Sequence, residues 1–226
     1  MKYDIKRYKT VVSTNDEAKR MARLGAPEGT VILAEEQTGG RGRYGRSFYS
    51  PQGGLYMSLI LRPEFDDVTL ITPAAAVAVC RSVNGLGFDC KIKWVNDIYK
   101  NDKKVCGVLT ESDVSEGWAV LGIGINIKVP GKDAPDIAGG LYDNEEGDSE
   151  ALLRTVLDNF AKIYEKLPRN DFIEYYRERS YLSGKTFEAN GEEYKYAGIS
   201  DGFGLLGEAN GRICEFRSGE ISVKIK

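Results

Sequence analysis

The spacing of apolar residues changes along the chain, and the changes divide it into elements. Residues 3–12 read as a strand, after which Ser13-Thr14-Asn15-Asp16-Glu17 opens a helix. Thr14 and Glu17 are spaced as a capping box, and Gly25 closes the helix. Thr30–Glu35 and Leu55–Leu61 are apolar and β-prone, and residues 36–54 between them form a long loop with six glycines and Pro51. Residues 69–86 (TLITPAAAVAVCRSVNGL) predict a buried helix starting near Pro73. Strands follow at 91–95, 104–112 and 118–127, with a turn at Asn101-Asp102.

In the second half Leu153, Val156, Leu157, Phe160, Ile163, Tyr164 and Leu167 recur at helical spacing. They predict an amphipathic helix that Pro168 ends, and a short second helix runs to about Tyr181. The character then changes. From Gly184 to Lys226 short β-prone pieces are separated by Asn190-Gly191, Asp201-Gly202, Asn210-Gly211 and Ser218-Gly219, as in a small β-barrel. The change puts a domain boundary near Leu182, giving domains 1–181 and 182–226. Residues 130–149, with Pro, Gly and acids, read as a mobile loop.

Composition narrows the chemistry. No apolar run approaches the ~18 residues of a membrane span, and the first residues lack the apolar stretch of a secretory signal, so a soluble cytoplasmic chain without membrane contact is expected. Cys80, Cys90, Cys106 and Cys214 show no CxxC spacing and read as reduced, partly buried thiols. The chain has no histidine, which removes Ser-His-Asp and Cys-His nucleophile systems and every His-containing zinc site. Chemistry must rest on Lys, Arg, Asp, Glu, Asn and backbone amides. A net charge of −3 and a pI near 5.3 argue against a general nucleic-acid binder. Positive charge is local instead, at Arg41, Arg43 and Arg46 among glycines.

That loop, Gly40-Arg41-Gly42-Arg43-Tyr44-Gly45, matches GxGxxG but does not open a helix, as a dinucleotide fold requires. Its arginines are permanently charged forks suited to phosphate or carboxylate, and its glycines let backbone amides approach the same anion. A second constellation is Lys93-Trp94-Val95-Asn96-Asp97-Ile98 with Lys103-Lys104-Val105-Cys106-Gly107. A lysine at the head of an apolar strand, with a glycine three residues on, can present its ammonium where a ligand meets backbone. A third is Gly122-Ile123-Gly124-Ile125-Asn126, whose small residues permit close approach of a flat ligand.

In this order and spacing, Ser13-Thr14-Asn15, EQTGGRGRYGRSFYSPQGGLYMSL (36–59), KWVNDIYKNDKKVCGVLTE (93–111), GIGIN (122–126) and SGEISVK (218–224) resemble the biotin–protein ligase family over nearly the whole chain. The resemblance implies an α+β catalytic core related to the class II synthetases, followed by an SH3-like barrel. It assigns Ser13, Thr14, Asn15, Gln37, Gly40, Arg41, Gly107 and Gly122 to biotin. It assigns Arg43, Arg46, Phe48, Asn96, Lys104, Asn126 and Lys224 to ATP, with Phe48 on the adenine and Lys104, Arg43 and Asp97 at the reacting centre. Three positions depart from the family: Phe48 stands for Trp, Val95 for Pro, and Lys224 often for Arg. Phe still stacks, Val95 is expected to keep an extended backbone, and Lys keeps the charge without the bidentate fork.

The implied reaction converts biotin and ATP, with Mg²⁺, into biotinyl-5′-AMP, and then transfers biotin to a lysine of a biotin carboxyl carrier protein. No resident metal site is expected, Asp97 being open to a role with Mg²⁺ or with the incoming amine. A homodimer is compatible with the resemblance. The alternatives are a lipoate or octanoate ligase, a non-catalytic biotin-binding module, and a biotin-sensing repressor. The last is disfavoured because only twelve residues precede Ser13, so no DNA partner is expected.

Overall fold

The computed structural model describes residues 1–143, 147–169, 171–217 and 222–224. The larger of two sheets contains β1 (Asp4–Val11), β2 (Thr30–Gln37), β3 (Leu55–Leu61), β4 (Lys91–Lys93), β5 (Asp97–Lys100), β6 (Lys103–Asp113) and β7 (Trp118–Ile125). Their order is β1-β2-β3-β7-β6-β5-β4. β1 and β2 are parallel and need a crossover, which α1 (Thr14–Arg23) supplies; the other pairs are antiparallel.

Strand periodicity explains the layers. Ile32, Ile60 and Val120 point to one face and pack with Trp118 against Ala18 and Ala22 of α1. Val31, Leu59, Leu121 and Ile123 point to the other, into the main core with α2 (Ile71–Gly85) and α3 (Ser149–Tyr164). β3 is therefore buried at every position. By length and composition the stretch Val68–Gly85 could cross a membrane, contrary to the expectation of no such run. Its residues Ala74–Cys80 are all buried between sheet and α3, which is why it reads as continuously apolar.

The capping box does not form. Ser13 is the N-cap of α1 without a side-chain bond, and Glu17 pairs with Arg20 at 2.7 Å and accepts from Tyr8. The Thr14 hydroxyl and N–H both donate instead to Gln37 Oε1, at 3.0 and 2.8 Å. β4 ends earlier than expected, at Lys93, and the chain returns after the turn 94–96 as β5. Val95 thus lies in a turn and not in a strand, and the Trp94–Val95 peptide is cis. The reason is the hairpin itself, which pairs Lys93 with Asp97. Residues 137–142, expected as part of a mobile loop, are hydrogen-bonded to β6 and to the chain just after β7.

After α4 (Ile173–Glu178) come β8 (Thr186–Ala189), β9 (Glu192–Ile199), β10 (Leu205–Ala209), β11 (Arg212–Phe216) and β12 (Ser222–Lys224). They form an antiparallel sheet of order β11-β10-β9-β8-β12. The Asn190-Gly191 and Asn210-Gly211 turns have positive φ at both residues, the type I′ geometry that asparagine and glycine favour. Ser218-Gly219 lies outside the described residues. The core continues across Leu182: Trp94 Nε1 donates to Phe203 O at 2.8 Å, and Phe203 stacks on Phe172. The fold is α+β. Cys80, Cys90 and Cys106 are buried free thiols, and Cys214 is an exposed one.

Candidate active site

The sheet face that carries Ile60 and Val120 under α1 continues beyond the helix. Pairing places Ser58 beside Gly122 and Gly122 beside Leu109, then Tyr56 beside Gly124, Gly124 beside Gly107, and Gly107 beside Asp97. Directly paired residues share a face. Gly107, Gly122 and Gly124 therefore strip side chains from one patch of the sheet, while Val108, Leu121, Ile123 and Ile125 fill the core behind it.

Above this floor is a cavity of about 160 Å³. Its lining includes Ser13, Thr14 and Asn15 from the start of α1, Gln37 from β2, Arg41, Arg43, Arg46 and Phe48 from the loop, and Asn96, Asp97, Lys104, Gly107 and Gly122. The floor must be glycine. A Cβ on Gly122 would run into the Asn15 carboxamide, and one on Gly124 would lie 2.6 Å from the Phe48 ring.

One end of the cavity is a fixed hydrogen-bond network. Ser58 Oγ lies 2.6 Å from Asn15 Oδ1 and 2.8 Å from Thr14 Oγ1, and Asn15 Nδ2 donates to Glu111 at 2.8 Å. Gln37 Nε2 donates to Ser50 Oγ at 2.8 Å. Lys19 bridges Glu111 and Asp16, and Asp16 in turn holds Arg41 at 2.8 Å. Burial raises the Asp16 carboxyl, but bonds from Lys19 and Arg41 outweigh it and hold the group below the usual range.

The other end is cationic. Arg43 donates to Asn96 Oδ1 at 3.2 Å and to the Tyr44 hydroxyl at 3.0 Å. Lys104 Nζ is 2.8 Å from Asp97 Oδ1, an ion contact outside hydrogen-bond geometry, and 5.7 Å from the Phe48 ring centroid. Burial lowers the Lys93 ammonium below the usual lysine range; Asp97 opposes this, and Lys104 and Arg46 add to it. Among the described residues Arg41, Arg43, Arg46, Lys93 and Lys104 face a lining whose one carboxylate is Asp97, so the cavity suits an anionic ligand. No cluster of three metal-ligating side chains occurs among the described residues.

Two expected residues, Gly40 and Asn126, do not line the cavity. Gly40 is buried behind its wall, where a Cβ would strike Phe48 O. Asn126 is buried beside it, with Nδ2 donating to Gly139 O at 3.0 Å and Oδ1 lacking a hydrogen-bond partner among the described residues. Lys224 is in β12, its side chain outside what the structure describes. Met57, Trp94 and Leu109 line the cavity without having been expected. Register places Leu109 on the cavity face, paired with Gly122, whereas Trp94 reaches the cavity from the turn 94–96.

Residues 8–128 match the family model described as the biotin/lipoate A/B protein ligase family. The chain belongs to this family. Over 232 aligned residues this ligase domain is 37% identical to the bifunctional ligase/repressor BirA of Bacillus subtilis, covering 93% of the chain and 71% of that protein. It is 37% identical over 131 residues to the biotin–[acetyl-CoA-carboxylase] ligase of Paracoccus denitrificans, covering 55% of the chain and 53% of that protein. Among solved structures, the biotin protein ligase of Aquifex aeolicus in complex with biotin and ATP superposes with a TM-score of 0.85 at 29% identity, over 99% of both chains.

Proposed function

We propose that this ligase activates biotin with ATP and transfers it to a lysine of a biotin carboxyl carrier protein. The observation that carries the reading is the glycine floor between a neutral hydrogen-bonding end and a cationic end. Two anions, a carboxylate and a triphosphate, must meet for the reaction to start, and fixed cations oppose their repulsion without reorganising.

In this reading Ser13, Thr14, Asn15, Gln37, Gly40, Arg41, Gly107 and Gly122 serve biotin. Arg43, Arg46, Phe48, Asn96, Lys104, Asn126 and Lys224 serve ATP, with Phe48 against the adenine. A biotin carboxylate oxygen attacks the α-phosphorus, and pyrophosphate leaves. Lys104 and Arg43 neutralise charge building on the phosphoryl oxygens. The carrier amine then attacks the carbonyl carbon of the mixed anhydride and AMP leaves, without a covalent enzyme intermediate. Mg²⁺ would be held by the nucleotide's own oxygens and would add charge neutralisation at the phosphates, while Asp97 stays paired with Lys104 at 2.8 Å.

The five-stranded C-terminal sheet is read as the SH3-like domain, residues 182–226 after a catalytic domain 1–181, and the chain as cytoplasmic. Of the two activities in the Bacillus subtilis protein's name, the ligase is the one this cavity supports. Incubation with biotin, Mg-ATP and an apo carrier domain should add one biotinyl group to the carrier by mass spectrometry. Transfer of lipoate or octanoate in preference to biotin would refute the substrate, and binding of biotin without transfer would refute catalysis.

A further inference from the structure

β6 and β7 stay paired as far as Cys106–Ile125 and then part, the last bond across the fork running from Asn126 N–H to Val105 O at 2.8 Å. Lys104 sits on one prong and Asn126 on the other. Their backbone groups need partners once the strands diverge. Residues 137–142 provide them, running into the fork as a strap. Lys104 N–H donates to Ile137 O at 2.7 Å and Gly139 N–H donates to Lys104 O at 2.9 Å. On the other prong Leu141 N–H donates to Asn126 O and Tyr142 N–H to Ile127 O, both at 2.9 Å. The Asn126 carboxamide donates to Gly139 O at 3.0 Å.

Gly139 thus grips both prongs: its N–H holds the Lys104 carbonyl and its carbonyl holds the Asn126 side chain. The strap is also anchored, since Leu141 is fully buried and its carbonyl accepts from Lys100 Nζ at 2.6 Å. No side chain fits at the grip. A Cβ on Gly139 would lie 2.5 Å from Lys103 Cβ, and one on Gly140 would strike the main chain of Lys128 and Val129.

We propose that Gly139 is a positioning residue for the nucleotide half of the reaction, setting the distance between Lys104 and Asn126. The inference rests on the ligase reading above. It separates the two substrates, because among the described residues the strap's long-range hydrogen bonds go to Lys100, Lys104, Asn126 and Ile127, and none goes to the α1 end of the cavity or to the loop of 39–48. A methyl group at 139 would push the strap from Lys103 and carry the Lys104 carbonyl and the Asn126 carboxamide with it. Misplacement of about 1 Å at reacting groups costs on the order of a hundredfold in rate.

The test is Gly139→Ala in the full chain, assayed by biotin-dependent exchange of pyrophosphate into ATP and by calorimetry of biotin alone. We expect kcat/KM for ATP to fall by on the order of a hundredfold, with the biotin dissociation constant within about threefold of wild type. Should the single variant not fold, the double variant Gly139→Ala/Lys103→Gly removes the atom the new methyl meets. In either case the double variant should recover most of the wild-type kcat/KM. Wild-type kcat/KM for ATP in Gly139→Ala, an equal loss of biotin affinity, or no recovery in the double variant would overturn the inference. A wild-type chain without biotin-dependent exchange would overturn the ligase reading, and this inference with it.

Discussion

Lys104→Ala tests the cationic end of the cavity most directly. The Lys104 ammonium lies 2.8 Å from Asp97, and the two side chains are 26% and 20% exposed. In the proposed reading, removing it takes away a charge-assisted contact to the triphosphate, worth about 1.5–3 kcal/mol. It also leaves Asp97 facing the incoming phosphates without its counter-charge. Two like charges about 4 Å apart at an effective dielectric near 20 repel by about 4 kcal/mol, and water entering the enlarged site would reduce this. Even half of that repulsion, added to the lost contact, gives roughly 4 kcal/mol, or about a thousandfold in kcat/KM for ATP. Loss of a partly exposed pair costs the fold only about 1 kcal/mol, so the variant should remain folded. The assay is biotin-dependent pyrophosphate exchange beside a thermal melt. Asp97→Asn/Lys104→Ala should be faster than Lys104→Ala, because the repulsion is gone, and still slower than wild type. If folded Lys104→Ala keeps more than about a tenth of wild-type kcat/KM, Lys104 does not act on the transition state. A double variant no faster than the single one would refute the repulsion.

Three further outcomes are expected. In the same reading Arg43→Gly removes a charge-assisted grip of about 1.5–3 kcal/mol on the adenylate phosphate, so with biotin and Mg-ATP it should label lysines on bystander proteins such as albumin. Streptavidin blots equal to wild type, with adenylation still measurable, would show that Arg43 does not retain the intermediate. The Asp16 carboxyl is held below the usual carboxylate range by Lys19 and Arg41 against the opposing effect of burial. Its contribution is therefore present above the unfolded value and is lost as pH falls through the folded one. Asp16→Asn should melt below wild type at neutral pH, with the gap closing from about pH 5 toward pH 2, and an undiminished gap at low pH contradicts this. Burial pushes the Cys80 thiol up to about 11 and Cys90 up to about 12, and raises Cys106 well above its usual value. A thiol reagent at pH 8 should thus modify the exposed Cys214 promptly and the other three only on unfolding; rapid reaction of a second thiol would argue against that packing.

The candidate site was legible in proportion to how local its signals are. The arginine–glycine loop, the Ser13-Thr14-Asn15 helix start and the glycines of 122–124 each carry their meaning within a few residues, and the cavity brings them together. β3 was legible to the residue, because both of its faces are buried and its apolar run has abrupt ends. The capping box failed because Thr14 had a better partner, Gln37, which no local rule supplies. β5 was hidden for a similar reason, since its four residues DIYK have too little pattern to separate a strand from the turn before it.

The strap is the extreme case. Residues 137–142 (IAGGLY) have no period and look like loop, because their hydrogen bonds go to Lys104, Asn126 and Ile127 rather than to one another or to a hairpin neighbour. Two adjacent glycines usually mark a turn. Here neither Gly139 nor Gly140 has positive φ, so conformational freedom is not the reason for them. The reason is the lack of room for a Cβ beside Lys103 and beside Lys128. A glycine required by close approach and one required by a turn are identical in sequence, and only the neighbouring chain tells them apart. The same ambiguity covers Gly107, Gly122 and Gly124, whose value to the site depends on register: shifting β6 by one residue against β7 would turn Gly107 toward the core and Val108 into the cavity. The fork that opens at Asn126 places Lys104 at the end of that paired region, so the register that clears the cavity floor also sets where the ammonium stands.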